Sequence, residues 1–491
     1  MSAIIRDAFK TRTLLNFINR LSVDSLYLGI GRPQSWDTVS NIDATVPVPE
    51  NTPSFLNRDW EDMLSLKRIS FSDSHPGIFK ETWQSNVKYD TYRHDWNGSR
   101  TSVYNGQNST PLNPSSLSDV KCFVVTPSTN SIYVCLKQLV VNGVVQPSLY
   151  SPESGVAVGV NTGVVKTADG YYWKFLATTA AADIIKFSSK YYHPVSTVQS
   201  EPSPLDPYFT QWQQQVYSAS FKGGIYTINV TGIGAGYNGG IAGTRAVADA
   251  ETDAEFKIVG DGTGIQFTVT YGSGGSITDV EVTNPGSGYT HATIRLTGGT
   301  GASFDVIYSP MTGLGCDPVN DVVARYLLLD TVLTGAEGSG DFTISNDYRK
   351  ICLVYNPTNF GTATISTSAT LDATTKLNVG AGLSAGVFPV DAIVTGASSG
   401  AKGRVVDYDS VTGILRVIRT SSENLDNLGA NNSFAASETL QSSPGTGNVA
   451  IGSISDSEVK LYSGEIIYSE YRSPITRSEL QSEDFKIVLK F

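Results

Sequence analysis

The sequence is poor in charge, histidine and cysteine for its length. Of 491 residues only 16% are charged, 46 acidic against 35 basic, for a net charge of −11. No cluster of Lys and Arg stands out, which argues against a nucleic-acid or anionic-membrane surface, since both need clustered positive charge. No apolar run approaches the roughly 18 residues of a membrane span. Met1-Ser-Ala-Ile-Ile-Arg-Asp lacks a charged leader followed by an apolar stretch, so a chain made and assembled in a cytosol is expected. The four cysteines, Cys122, Cys135, Cys316 and Cys352, are too scattered for a zinc knuckle or redox pair. Cys122 and Cys135 fall on adjacent predicted strands and read as reduced core thiols. The histidines His75, His94, His193 and His291 stand apart from one another, with no metal-ligand spacing.

What is abundant is Gly, Ser, Thr, Val and Tyr, with 47 glycines and 24 tyrosines. That composition predicts a mainly β fold with a few helices, an α+β class protein with many turns. Leu14, Phe17, Ile18 and Leu21 recur at i, i+3, i+4 and i+7 and predict a helix over residues 11–21. A strand follows over 25–32. Pro53 then opens a second helix carrying Leu56, Trp60, Met63 and Leu64 on one face. A third helix is expected after Asp206-Pro207, with Tyr208, Trp212 and Val216 on one side. Strands are expected over 121–125, 131–136, 170–176, 325–329 and within 347–355. Near the end, residues 465–468 read as a short strand interrupted by Ser469-Glu470-Tyr471-Arg472-Ser473-Pro474. The closing run alternates Phe485, Ile487, Leu489 and Phe491 against Asp484, Lys486 and Lys490, a strand with one buried face.

The middle holds an internal repeat. Residues 231–237 (TGIGAGY) echo 283–289 (TNPGSGY), and 263–271 (TGIQFTVTY) echo 300–308 (TGASFDVIY). The first copy carries extra residues, placed at the acidic stretch around 246–255. A second Gly-rich segment reads as strand, turn, strand, turn, strand over 391–418.

Catalytic and binding signatures fare poorly. Gly396-Ala-Ser398-Ser-Gly400 has the G-x-S-x-G spelling, but a nucleophile elbow needs a following helix and a later histidine, and every histidine here comes earlier. Asp249, Glu251, Asp253 and Glu255 alternate as calcium would like, yet Ala254 occupies the glycine position of an EF-hand loop, and a solvated acidic loop is expected. The glycine runs 232–236 and 260–264 lack the strand-to-helix setting of a phosphate cradle and read as hairpin connections. Among 46 acidic residues nothing singles out a glycosidase pair. No catalytic residue, metal or cofactor is therefore expected. Tyr468, Glu470, Tyr471, Arg472 and Pro474 form the one candidate interface or structural loop. An Arg flanked by tyrosines is the composition of an interface anchor, and pairing of Arg472 with Glu470 or Glu465 is the structural alternative.

Several blocks, in order, resemble a known family: LLNFINR at 14–20, YLGIGRPQSW at 27–36, YDTYRHDW at 89–96, DGYYWKFL at 169–176 and GEIIYSEYRSPI at 464–475. They are similar to the small dimeric baseplate wedge subunit of T4-like contractile-tailed bacteriophages. The resemblance implies a β-sandwich-like core from residues 1–223, 311–357 and 457–491, carrying inserted β modules at 224–310 and 358–456 that lie outside it. It further implies a structural, non-enzymatic virion protein of the tail baseplate. Such a protein forms a homodimer, contacts other wedge proteins and takes part in the rearrangement that triggers sheath contraction. The alternative is a virion binding protein whose inserted modules attach a tail fibre or recognise a host surface.

Overall fold

The computed structural model describes residues 4–36, 43–108, 110–141, 143–160, 162–196, 220–334, 347–418, 433–475 and 481–491. The chain is mostly β, with 43% strand against 12% helix, so the β-rich α+β expectation holds. The five-stranded and seven-stranded sheets are antiparallel. The chain divides into two compact units, one made of Met1–Asn16, His75–Leu328 and Val488–Phe491, the other of Phe17–Ser74 and Leu329–Ile487. The expected helix after Asp206-Pro207 lies outside the described residues.

The first helix spans Asp7–Arg20, with Leu14 and Ile18 buried as the stripe requires. In the second unit a five-stranded sheet has the order Thr370–Asp372, Met63–Ile69, Leu26–Gly31, Tyr348–Tyr355, Glu465–Ile475. Leu26–Gly31 and Tyr348–Tyr355 are buried almost throughout, so neither shows the polar/apolar alternation of a half-buried strand, and Arg349 and Lys350 are buried along with the apolar residues. Gly29 leaves room in one of them for the Met63 thioether, whose sulfur would lie 2.6 Å from a Cβ there. The core beneath is Tyr27, Trp60, Leu66, Cys352, Val354 and Leu371. The helix opened by Pro53 stops at Glu61, and Met63 and Leu64 belong to the next strand instead. Those two residues match a helical stripe only because both faces of their strand are buried. The break falls at Asp62, whose carbonyl accepts the Arg32 N–H at 2.8 Å.

The second unit also holds a seven-stranded sheet, in the order Asn448–Ala450, Thr439–Ser443, Ile393–Gly396, Lys402–Asp409, Ile414–Ile418, Thr375–Asn378, Ser453–Ser455. It has its own core of Leu377, Val394, Val405, Leu415, Val417 and Leu440. The strand, turn, strand reading of 391–418 is found there. The strand Thr370–Asp372 falls within the 358–456 segment expected as an inserted module, yet it pairs with Met63–Ile69 in the five-stranded sheet.

In the first unit a five-stranded sheet runs Phe123–Val125, Ser131–Lys137, Tyr172–Thr178, Val164–Lys166, Val156–Val158. Tyr89, Cys135, Tyr171 and Trp173 pack at its centre. Cys135 N donates to Cys122 O at 2.8 Å, and both thiols are free and sealed, with burial pushing their pKa values up. A small hairpin, Val140–Val141 with Val144–Val145, carries exposed valines.

The repeat-containing module belongs to this unit. Ile225–Ala235 pairs with Thr300–Tyr308, and Ile277–Ser287 pairs with Thr263–Tyr271 in the equivalent way. The glycine runs are not hairpin connections. Residues 232–235 lie within the strand Ile225–Ala235, and 260–264 join strands of different sheets. The extra residues of the first copy include the strand Gly243–Val247, laid along Thr263–Tyr271. On the corresponding strand of the second copy, His94 Nδ1 accepts the Tyr308 N–H at 3.3 Å, and Arg93 holds Asp305 at 3.1 Å. A scaffold loop thus covers the edge that a strand covers in the first copy.

Candidate functional site

The stretch expected as a short strand broken by an Arg-Pro loop is one eleven-residue strand, Glu465–Ile475. It lies at the edge of its sheet, where proline is tolerated because the outer N–H has no ladder partner to serve. Its register against Tyr348–Tyr355 shifts between the Lys350–Tyr471 and Tyr348–Ile475 pairs, so extra residues bulge out around exposed Pro474.

The alternation of a strand separates the candidate residues into two rows. Tyr468, Glu470 and Arg472 share one face: the Tyr468 hydroxyl and Arg472 Nε each reach the Glu470 carboxylate at 2.8 Å. With Arg472 45% exposed, that ion pair is worth at most about 1 kcal/mol. Ser469 and Tyr471 share the other face and both donate to Asp59, at 2.6 and 2.7 Å. Burial and the Asp59 charge raise the Tyr471 pKa, so this phenol stays a donor.

Beneath Tyr471 lies a buried charge network. Lys350 Nζ is 2.7 Å from Asp62, 3.2 Å from Asp59 and 3.1 Å from the Arg58 carbonyl, and sits under the Tyr471 ring at 5.1 Å. Arg32 Nη1 is 3.3 Å from Asp62, and Gln34 Nε2 donates to Asp62 at 3.2 Å. Burial pulls the Lys350 pKa down, but the two carboxylates outweigh it and the net shift is upward. Burial likewise pushes Asp62 up, and Lys350 and Arg32 hold it below the ordinary range. Two carboxylates and two cations balance, as a buried cluster must. Arg32 sits at φ +56°, a conformation costly for a side-chain residue, held by its bonds to Asp62 and to Ser35 O at 2.9 Å.

Trp36 closes the arrangement. Its indole N–H donates to the Arg472 carbonyl at 2.7 Å, its ring lies 5.0 Å from Tyr471, and Arg32 stacks over it at 4.6 Å. Arg349 grips the same segment through a two-point bond to Asp43 at 2.8 Å. Chemically this is a lock. Each carboxylate is engaged by a cation or hydroxyl, and the network fixes strand, helix and loop in one register.

The other candidates resolve separately. Ser398 and Ser399 give both their hydroxyls and both their N–H groups to Glu438, at 2.8–3.1 Å, so the G-x-S-x-G turn wraps its own carboxylate. Asp249, Glu251, Asp253 and Glu255 diverge: Asp249 takes the Thr252 N–H, Glu251 binds Tyr289, Asp253 binds Arg245, and Glu255 takes the Asn238 N–H. Among the described residues no group of three or more His, Cys, Asp or Glu converges as a metal site.

Arg32, Asp59, Asp62 and Lys350 were not foreseen as a cluster. Arg349 and Lys350 carried a signal: two adjacent cations in a strand that is otherwise apolar or aromatic each demand a buried carboxylate partner. No protein-family model matches the chain, and no curated protein matches it.

Proposed function

We propose that this chain is a structural component of a contractile phage tail, a baseplate wedge subunit that works as a homodimer and links neighbouring wedge proteins. The observation that carries the reading is the convergence of the blocks behind the resemblance. Trp36, which ends YLGIGRPQSW, bonds the backbone of Arg472 within GEIIYSEYRSPI across 436 positions. Tyr89, which opens YDTYRHDW, packs edge-on to Trp173 of DGYYWKFL at 5.5 Å. Blocks far apart along the sequence thus meet in space at two places, as a shared scaffold requires. The Val140–Val145 hairpin adds an apolar projection of the kind that subunit contacts cover.

The test is the copy number of the chain in purified tails, by quantitative mass spectrometry against the tail-tube protein. Two copies per wedge of a six-fold baseplate are expected. Three-fold stoichiometry, or absence from tails, overturns the reading.

A further inference from the structure

The first unit contains a cleft of about 480 Å³, within the range of small-ligand sites. Part of its wall is the start of the edge strand Phe123–Val125 and the residues leading into it. Strand alternation sorts them: Cys122 and Val124 are fully buried in the core, while Lys121 and Phe123 are only partly buried and line the cleft. Phe79 and Tyr326 line it too.

Four ionic groups share the space and pair among themselves. Lys121 Nζ faces Glu81 at 3.9 Å, and Arg325 meets Asp119 at 3.4 Å. With two anions matched to two cations the wall holds no spare charge, so a charged ligand would have to break one pair to form another. What remains is neutral hydrogen-bonding capacity. Asn108 gives its Nδ2 to Glu81 at 2.9 Å, and its Oδ1 has no partner among the described residues. Asp119 accepts from Arg325 on Oδ1 alone, and the exposed Gln107 amide bonds to none of the described residues. The rings divide in the same way. Phe79 has the Lys121 ammonium 4.6 Å from its centre and Tyr192 edge-on at 5.9 Å, and Tyr326 has Tyr192 at 5.0 Å. Against Phe123, among the described residues, no ring or cation is stacked.

The geometry points to a binding site for a neutral pyranose sugar, its C–H face on the Phe123 ring and its hydroxyls on Asp119, Asn108 and Gln107. A pyranose is apolar on one face and ringed by hydroxyls that each donate and accept. One such ring therefore meets an open phenyl face, two acceptors and an amide together. An apolar ligand of that size would strip water from the polar wall and leave it unpaired. An ion finds no unmatched charge. A free sugar and the end unit of a glycan chain offer the same ring. Nothing in this site depends on the baseplate reading.

The experiment titrates the full chain with methyl β-D-glucopyranoside and methyl β-D-galactopyranoside by ligand-observed NMR, with cyclohexylmethanol and methyl β-D-glucuronide as controls. Saturable binding of at least one pyranoside is expected, about tenfold or more tighter than cyclohexylmethanol, which leaves the polar wall unpaired. The glucuronide should bind no tighter than the glucoside. Phe123→Ala should weaken the pyranoside at least about fivefold. Gln107→Ala, at an exposed position, should weaken it severalfold and serves if Phe123→Ala fails to fold. Lactose binding tighter than the methyl galactoside identifies a glycan end as the source, and otherwise a single sugar unit. No saturation by either pyranoside, equal binding of cyclohexylmethanol, tighter binding of the glucuronide, or an affinity unmoved by Phe123→Ala or by Gln107→Ala overturns the proposal.

Discussion

Lys350 Nζ lies 2.7 Å from Asp62 and 3.2 Å from Asp59, and all three residues are at most 4% exposed. Removing the lysine leaves two carboxylates in a dry interior, so Lys350→Met should cost about 3–5 kcal/mol. Asp62→Asn should cost less, because Asp59 still neutralises Lys350. The double variant should fall well short of the sum, since the two changes remove opposite halves of one interaction. Urea unfolding of the four proteins checks this. Additive losses would mean that the pair is not coupled.

The two rows of the strand Glu465–Ile475 should separate in the same assay. Tyr471→Phe deletes a hydroxyl from a buried carboxylate and should cost about 1–3 kcal/mol. Arg472→Ala removes an exposed ion pair and should stay within about 1 kcal/mol. If Arg472 instead loses tail assembly while its fold stability holds, its outward row is a contact in the assembled particle.

Acid should loosen the seven-stranded sheet around its Ser398–Ser399 turn. Burial alone would raise the Glu438 pKa, but the N–H groups of Ala435 and Ser399 and the serine hydroxyls outweigh it and bring it down to about 2. A carboxyl depressed on folding stabilises fully above its unfolded value of about 4.3 and loses that contribution as pH falls through the folded one. Stability should therefore decline between about pH 4.5 and pH 2, and Glu438→Gln should flatten part of that decline while lowering the plateau. Thermal midpoints across pH for the two proteins give the comparison. Parallel curves would show that the Ser398–Ser399 turn does not depend on the charge.

What could be read from the sequence follows from what repeats locally. The first helix, the paired strands around Cys122 and Cys135 and the 391–418 meander announce themselves by periodicity and turn residues. The helix stop at Glu61 did not, because Met63 and Leu64 satisfy both a helical stripe and a strand buried on both faces. Nor did the unbroken strand through Pro474, whose tolerance depends on an edge position that only the assembled sheet creates. The candidate residues 468–474 were found as a segment, while their division into an inward and an outward row needed Asp59, some 400 positions earlier.

The repeat makes a paired prediction. Gly234 and Gly286 occupy equivalent places, at φ +56° and +64°, and a Cβ on either would lie 2.6 Å from backbone atoms of the opposing strand. Gly234→Ala and Gly286→Ala should each destabilise by roughly 4 kcal/mol or more, strain and clash together. Gly239, at φ +63° with nothing within 4 Å, should cost only the conformational penalty of about 1–2 kcal/mol. Differential scanning calorimetry of the three variants tests the equivalence, and a large effect at Gly239 would contradict it.

The homodimer reading makes a prediction at the Val140–Val145 hairpin. A two-stranded ribbon is marginal in water by itself, and this one exposes Val140, Val141 and Val144. No charged residue occurs from 138 to 150, in a chain whose net charge is −11. Two copies meeting here escape the repulsion that their overall charge imposes elsewhere, and valine meeting valine suits a two-fold contact. Sedimentation of the pure chain should therefore show a dimer. Val141→Asp, which places two like charges at a contact of a chain with itself, should convert it to monomer with an unchanged circular dichroism spectrum. A wild-type dimer that survives the substitution would move the contact elsewhere on the surface, whereas a wild-type monomer at micromolar concentration would overturn the homodimer reading.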